Sequence, residues 1–218
     1  MTRSTSSESG QAAPIYITMV AGLLFLALAF FAVGQAGATR NEAQGAADAA
    51  ALAAAQESRD LFRDGLLAGL LDPEFLDDVF NGDPIGTEGG CQAATRFADQ
   101  NGADVLPGEC RQLDDGRWGF RVRVRTQEPM GPNILSETED KHAEAVATAV
   151  VVPRCSFEPA EEEQQPEDGE ESEDSDDAKP ASPGTLDCGG STPWDIDPEH
   201  LDLLPDMADL FSVRLAQD

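Results

Sequence analysis

The stretch Ile15-Tyr-Ile-Thr-Met-Val-Ala-Gly-Leu-Leu-Phe-Leu-Ala-Leu-Ala-Phe-Phe-Ala-Val33 decides the architecture, because it is nearly all apolar and would be apolar on every side of a helix. The uncharged region extends further, from Gly10 to Thr39. A helix needs roughly 20 such residues to cross the hydrocarbon of a bilayer. A soluble domain of this size has no interior that would bury a helix apolar all round. Pro14 stands where a helix can begin, and Tyr16 lies where an aromatic ring with a polar tip favours the interface. The reading is a transmembrane helix over residues 15–38, embedded in the lipid bilayer, behind a leader of residues 1–14. A cleavable secretory signal is the alternative, since Ala36-Gly37-Ala38 has the small-x-small character of a cleavage site and cleavage after Ala38 would release the chain. The apolar run exceeds the roughly 7–15 residues of a signal core, and Arg3 alone charges the leader positively. Arg3 and Arg40 flank the helix evenly, so the basic residues leave its orientation open.

Beyond the helix the chain is acidic. Its 218 residues carry 42 acidic and 14 basic side chains, a formal charge of −28. The tract Glu158–Asp177 holds 12 acids and no basic residue, and removing those 12 from −28 still leaves −16. Binding a phosphate backbone would add like charge instead of releasing counterions, which argues against nucleic acid as a partner.

Residues 39–72 read as a juxtamembrane helix, because Arg40-Asn-Glu-Ala-Gln-Gly-Ala-Ala-Asp-Ala-Ala-Ala-Leu-Ala-Ala-Ala-Gln56 is dominated by alanine, the strongest helix former. Small side chains let another helix approach closely, which makes Ala46, Ala47, Ala50, Leu52 and Ala54 a candidate helix-contact face. An exposed Ala-rich helix without a partner fits the same residues. Phe62, Leu66, Leu67, Leu70 and Leu71 recur at helical spacing, so this later part is expected to pack on the domain.

Gly10-Gln-Ala-Ala-Pro14, the apolar span and Ala46-Ala-Asp-Ala-Ala-Ala-Leu-Ala-Ala-Ala55 together resemble the N-terminal module of TadG-like proteins of the tight-adherence (Flp) pilus systems, in an arrangement similar to actinobacterial members. The resemblance covers roughly residues 8–60, and its most specific part is the Ala-Asp-Ala-Ala-Ala-Leu run just beyond the membrane helix. It implies a single-pass envelope protein that works with other pilus-assembly or envelope proteins, not an enzyme. One departure counts against filament formation. Pilins and TadE-like proteins are processed after a Gly and carry a Glu five positions on, whereas five positions after Gly10 stands Ile15.

Cys91, Cys110, Cys155 and Cys188 all follow the apolar helix, an even number at long, unequal spacings. That pattern suits disulfides in an oxidising compartment, which would put the domain outside the membrane and the N-terminus in the cytoplasm. Of the three pairings four cysteines allow, Cys91–Cys110 and Cys155–Cys188 are favoured: the first ties a helix to a following strand, the second closes a loop around the acidic tract. With no Cys-x-x-Cys pair, and with His142 and His200 lacking ligand spacing, no metal site is expected.

The exported part divides into a domain over 73–157, an acidic loop over 158–184 that has too little to bury and too much like charge to fold, and a segment over 185–218 that docks back. Asp72-Pro73-Glu74 caps a short helix ended by Asn81-Gly82, and Cys91 to Gln100 reads as another, stopped by Asn101-Gly102. After a tight turn at Asp115-Gly116, Trp118, Phe120, Val122 and Val124 alternate with arginines, the mark of a half-buried antiparallel strand. His142–Val152 alternates Ala143, Ala145, Ala147 and Ala149 with larger residues and reads as a second strand. Asp197-Pro198-Glu199 is expected to cap a short helix, and Leu210–Leu215 to add an edge strand. The fold class is α+β: a transmembrane helix continuing into an Ala-rich helix, then a small disulfide-bonded antiparallel sheet with helices and a disordered acidic loop.

Arg117, Arg121, Arg123 and Arg125 form a candidate anion-binding face, because guanidinium groups on an open sheet surface can grip carboxylate or phosphate in forked geometry. A solvated outer face explains the same pattern. No catalytic motif is present, so no catalytic residue, cofactor or small-molecule substrate is assigned. The function read from the sequence is a membrane-anchored structural or assembly component of a Flp-type pilus or related envelope apparatus. The alternative is a secreted or anchored extracytoplasmic binding module unrelated to pili.

Overall fold

The computed structural model describes residues 12–82, 86, 89–129, 140–160, 181–190 and 192–216, with the backbone alone at 12, 13, 35 and 36. The leader up to residue 11, with Gly10, and the acidic stretch 161–180 lie outside the described residues.

One continuous helix, α1 (Ala12–Leu61), spans both the apolar run and the Ala-rich run. Its first half stands clear of the domain: Ile15, Phe25 and Phe30 are 69%, 71% and 77% exposed. This is one helix long and apolar enough to cross a membrane. Its second half is the centre of the domain. Ala43, Ala46, Ala47, Ala50, Ala51, Ala54 and Ala55 are buried, recurring three and four residues apart, so they line one face.

That face lies under a four-stranded antiparallel sheet ordered β1 (Ala103–Gln112), β2 (Gly119–Thr126), β3 (Glu144–Pro153) and β7 (Phe211–Leu215). Ala145, Ala147 and Ala149 of β3 point at the same interface, as do Phe120, Val122 and Val124 of β2. Alanine on both sides lets helix and sheet approach closely. The helix α4 (Cys91–Gln100) packs beside α1 with Ala93, Ala94 and Ala98 buried. At Gly90 a Cβ would run into the Ala54 carbonyl oxygen, so only glycine admits this approach.

Past α1, a bifurcated turn from Phe62 N–H to the Ser58 and Arg59 carbonyls leads into α2 (Arg63–Gly69). The next helix, α3 (Pro73–Phe80), begins as read from the sequence. The Asp72 side chain accepts from the Glu74 and Phe75 N–H groups at 3.0 and 3.3 Å, and Pro73 takes the first turn. These helices close the end of the core farthest from the apolar half of α1 with Phe62, Phe80, Trp118 and Phe211.

A second sheet, β4 (Ser156–Pro159), β5 (Gly184–Asp187) and β6 (Trp194–Asp195), is antiparallel and was not foreseen. Glu158, Pro159 and Gly184, assigned by sequence to the acidic loop, are paired strand residues here. Asn81 clamps this sheet to α3, donating to the Phe157 carbonyl at 2.9 Å and accepting from the Phe157 N–H at 3.1 Å. The short helix expected at Asp197-Pro198-Glu199 is a turn, and helical structure starts only at the 3₁₀ segment Leu201–Leu203. The strand expected near Leu210 is β7, and α5 (Met207–Leu210) precedes it.

Cys91 pairs with Cys110, tying α4 to β1, and Cys155 pairs with Cys188, tying the flanks of β4 and β5. The bridged residues are 19 and 33 positions apart. Loop-closure entropy then gives about 3–4 kcal/mol of stabilisation from each. Replacing Cys155 and Cys188 together by serine is expected to lower the denaturation midpoint by an amount matching that figure, read by chemical unfolding under non-reducing conditions.

Candidate functional site

The inner face of the sheet is covered by α1 and α4, and the charged residues of the strands lie on the opposite face. Strand alternation puts Arg121, Arg123 and Arg125 there, between the buried Val122 and Val124. Across β1, Arg111 stands opposite Arg121 and Asp104 opposite Arg125. Across β3, Thr148, Val146 and Glu144 stand opposite Arg121, Arg123 and Arg125. The Glu109 carboxylate approaches Arg123 Nε at 3.6 Å. The outer face is therefore one of mixed charge: four arginines interleaved with three carboxylates.

Arg117 is placed differently. Its Nε and Nη2 donate to Asp115 Oδ2 at 2.9 and 2.7 Å, and its backbone N–H donates to Oδ1. These side-chain hydrogen bonds, joined by the backbone one, hold the exposed Asp115 carboxyl below the usual carboxylate range. Arg117 thus locks the Asp115-Gly116 turn that sends the chain into β2. It also borders a cleft of about 530 Å³ lined by Gly116, Trp118, Val150, Pro153 and Arg214 among others.

A second cleft, of about 360 Å³, lies at the other end of β3, towards the apolar half of α1. Arg40 and Gln44 of α1 line it together with Arg123, Glu144, Ala145 and Val146. It straddles the start of β3, which β7 does not reach, since β7 pairs with Ala149–Pro153. Gln44 Nε2 reaches the Val146 carbonyl at 3.5 Å and Asp48 Oδ1 at 2.8 Å. Among the described residues Arg123 Nε and Thr148 Oγ1 are buried without a hydrogen-bond partner, the Glu109 carboxylate standing 3.6 Å from that Nε.

Residues 10–57 match the model of the TadE/G-like Flp pilus-assembly family. No curated protein and no solved structure matches the chain. The match takes in less than a quarter of the 218 residues. Its limits nevertheless coincide with a structural unit, the exposed apolar half of α1 plus the buried Ala-rich half up to the last turn.

The candidate helix-contact residues take a definite place in this unit. Ala46, Ala47, Ala50 and Ala54 are buried within the chain's own core, and Leu52 is half-buried against it. The helix they meet is α4, with the sheet alongside, so in this fold the face is not open to another chain. Among the described residues no three His, Cys, Asp or Glu side chains gather where a metal ion could sit. His142 Nδ1 lies 2.7 Å from the Thr126 carbonyl, at the entry to β3. Arg40, Gln44, Arg111 and Arg214 were not singled out by sequence, because their grouping depends on which strands and helices the fold sets side by side.

Proposed function

We propose that this protein is a membrane-anchored, non-enzymatic structural or assembly component of a Flp-type pilus or related envelope apparatus. The apolar half of α1 would lie in the bilayer, the N-terminus in the cytoplasm and the disulfide-bonded domain outside. The observation that carries the proposal is the family match over residues 10–57, falling on a single helix that is apolar and exposed at one end and domain core at the other. Because that helix is unbroken, a force or displacement in the membrane is passed directly to the sheet. An assembly component that positions partners needs that kind of coupling. Two disulfides support the outward placement of the domain, since such bonds persist in oxidising compartments.

Deleting the gene in its source cell is expected to abolish or sharply reduce surface Flp-type pili, seen by electron microscopy, with recovery on re-expression of the full chain. Pili at wild-type number after deletion would remove the proposal. A mature chain starting at Thr39 in the medium would favour the secreted module instead.

A further inference from the structure

We infer that the cleft formed by Arg40, Gln44, Arg123 and Glu144 binds the headgroup of a zwitterionic aminophospholipid, the arginines taking its phosphate and the carboxylate its amine. The inference rests on the membrane reading of α1.

Depth is the first argument. Twenty residues from Ile15 cover the ~30 Å hydrocarbon core at ~1.5 Å per residue, which ends that layer near Gly34. Arg40 lies six residues further along the same unbroken helix, or ~9 Å. The headgroup layer is ~5–7 Å deep on each side, and an arginine stem can lie along the helix and bring its guanidinium back to that level. The cleft opens where phospholipid phosphates are.

Charge is the second. Arg40 and Arg123 come from different elements, α1 and β2, and line one opening with the Gln44 amide. Among the described residues no carboxylate lies within ion-pairing distance of Arg40. The two guanidinium groups supply the donors a phosphodiester needs, in the geometry arginine favours, while the Gln44 amide already donates to Asp48 Oδ1 and the Val146 carbonyl. Arg123 Nε already faces the Glu109 carboxylate at 3.6 Å, which leaves Arg40 as the unpaired cation of the cleft among the described residues.

Glu144 sets the class of lipid. Glu144 lines the same cleft, where its carboxylate would repel a headgroup carrying only negative charge and pair with a headgroup ammonium. A chain of charge −28 is repelled by anionic lipid in bulk, so a headgroup with no net charge is the one that can approach.

The test uses the full chain purified in mild detergent and native mass spectrometry with added phosphatidylethanolamine, phosphatidylglycerol or inorganic phosphate. Wild type is expected to retain one phosphatidylethanolamine and little phosphatidylglycerol. Arg40→Gln with Arg123→Gln is expected to lower that occupancy about tenfold, while Arg214→Gln, at the other cleft, leaves it unchanged. Glu144→Gln is expected to shift the preference towards phosphatidylglycerol, a reversal that general damage to the fold would not produce. Equal retention by the double variant, or a wild-type preference for phosphatidylglycerol, overturns the inference. Displacement of the lipid by millimolar inorganic phosphate overturns it too, by making the site one for free phosphate. Carbonate extraction of native membranes is read separately: a chain that washes off refutes the anchor, whereas a retained chain with no bound lipid refutes only the cleft.

Discussion

Trp118→Ala is expected to cost about 3–5 kcal/mol of domain stability, the range for removing a large buried aromatic side chain. Trp118 is 2% exposed and packs edge-on to Phe62 and Phe211, with ring centroids 5.1 and 5.4 Å away. Its indole N–H donates to Ser58 Oγ at 2.9 Å, linking the residue just before β2 to the last turn of α1 inside the core. Gly86 lies flat against the same ring, and a Cβ there would collide with it. The substitution therefore empties a site walled by three separate chain segments, Ser58–Phe62, Gly86 and Phe211. Trp118→Phe separates the contributions, since it keeps a ring but deprives the buried Ser58 of a donor, for an expected loss of about 1–2 kcal/mol. Urea unfolding of both variants with the disulfides intact provides the check. A loss below 1 kcal/mol for the alanine variant would mean that the aromatic cluster does not close the core.

The residues that could be read from sequence were those whose neighbours along the chain explain them. In β2, valine and arginine alternate with the period of a strand, so both the element and its buried face were visible. Asp72-Pro73 marks a helix start whatever surrounds it. By contrast, β1 carries Pro107 and Gly108 inside it. The ladder to β2 breaks between Val105 and Cys110, and Gly108 takes φ +74° at the break, so the local signal is that of a turn. The strands β4, β5 and β6 are too short for any period to register. Alanine hid the burial of α1, because a helix of alanines has no apolar stripe to mark its inward side. The same residues that suggest a contact surface are also what a close-packed core interface requires. The clefts were illegible for a different reason. Arg40 and Arg123 lie 83 positions apart and meet only because α1 runs beside the start of β3.

Leu24→Arg with Leu28→Arg is expected to have the largest effect of all, because it acts on the membrane and not on the fold. The two positions lie one turn apart on the same side of α1, are 61% and 54% exposed, and sit near the middle of the apolar run. Each arginine at the centre of a membrane helix costs about 2.5–3.5 kcal/mol on insertion scales, so the pair shifts the equilibrium by roughly 10⁴-fold or more. The bulk of the chain should leave the carbonate-resistant membrane fraction. The domain also reports where it went. If export requires this helix, a chain that fails to insert stays in a reducing compartment, and Cys91, Cys110, Cys155 and Cys188 become open to maleimide labelling. In wild type they are paired and protected. Loss of the membrane fraction together with gain of four reactive thiols ties anchor, topology and disulfides to one helix. Membrane retention equal to wild type would show that the apolar half of α1 is not what holds the chain there. Loss of retention with the thiols still paired would show that the domain is exported by another route.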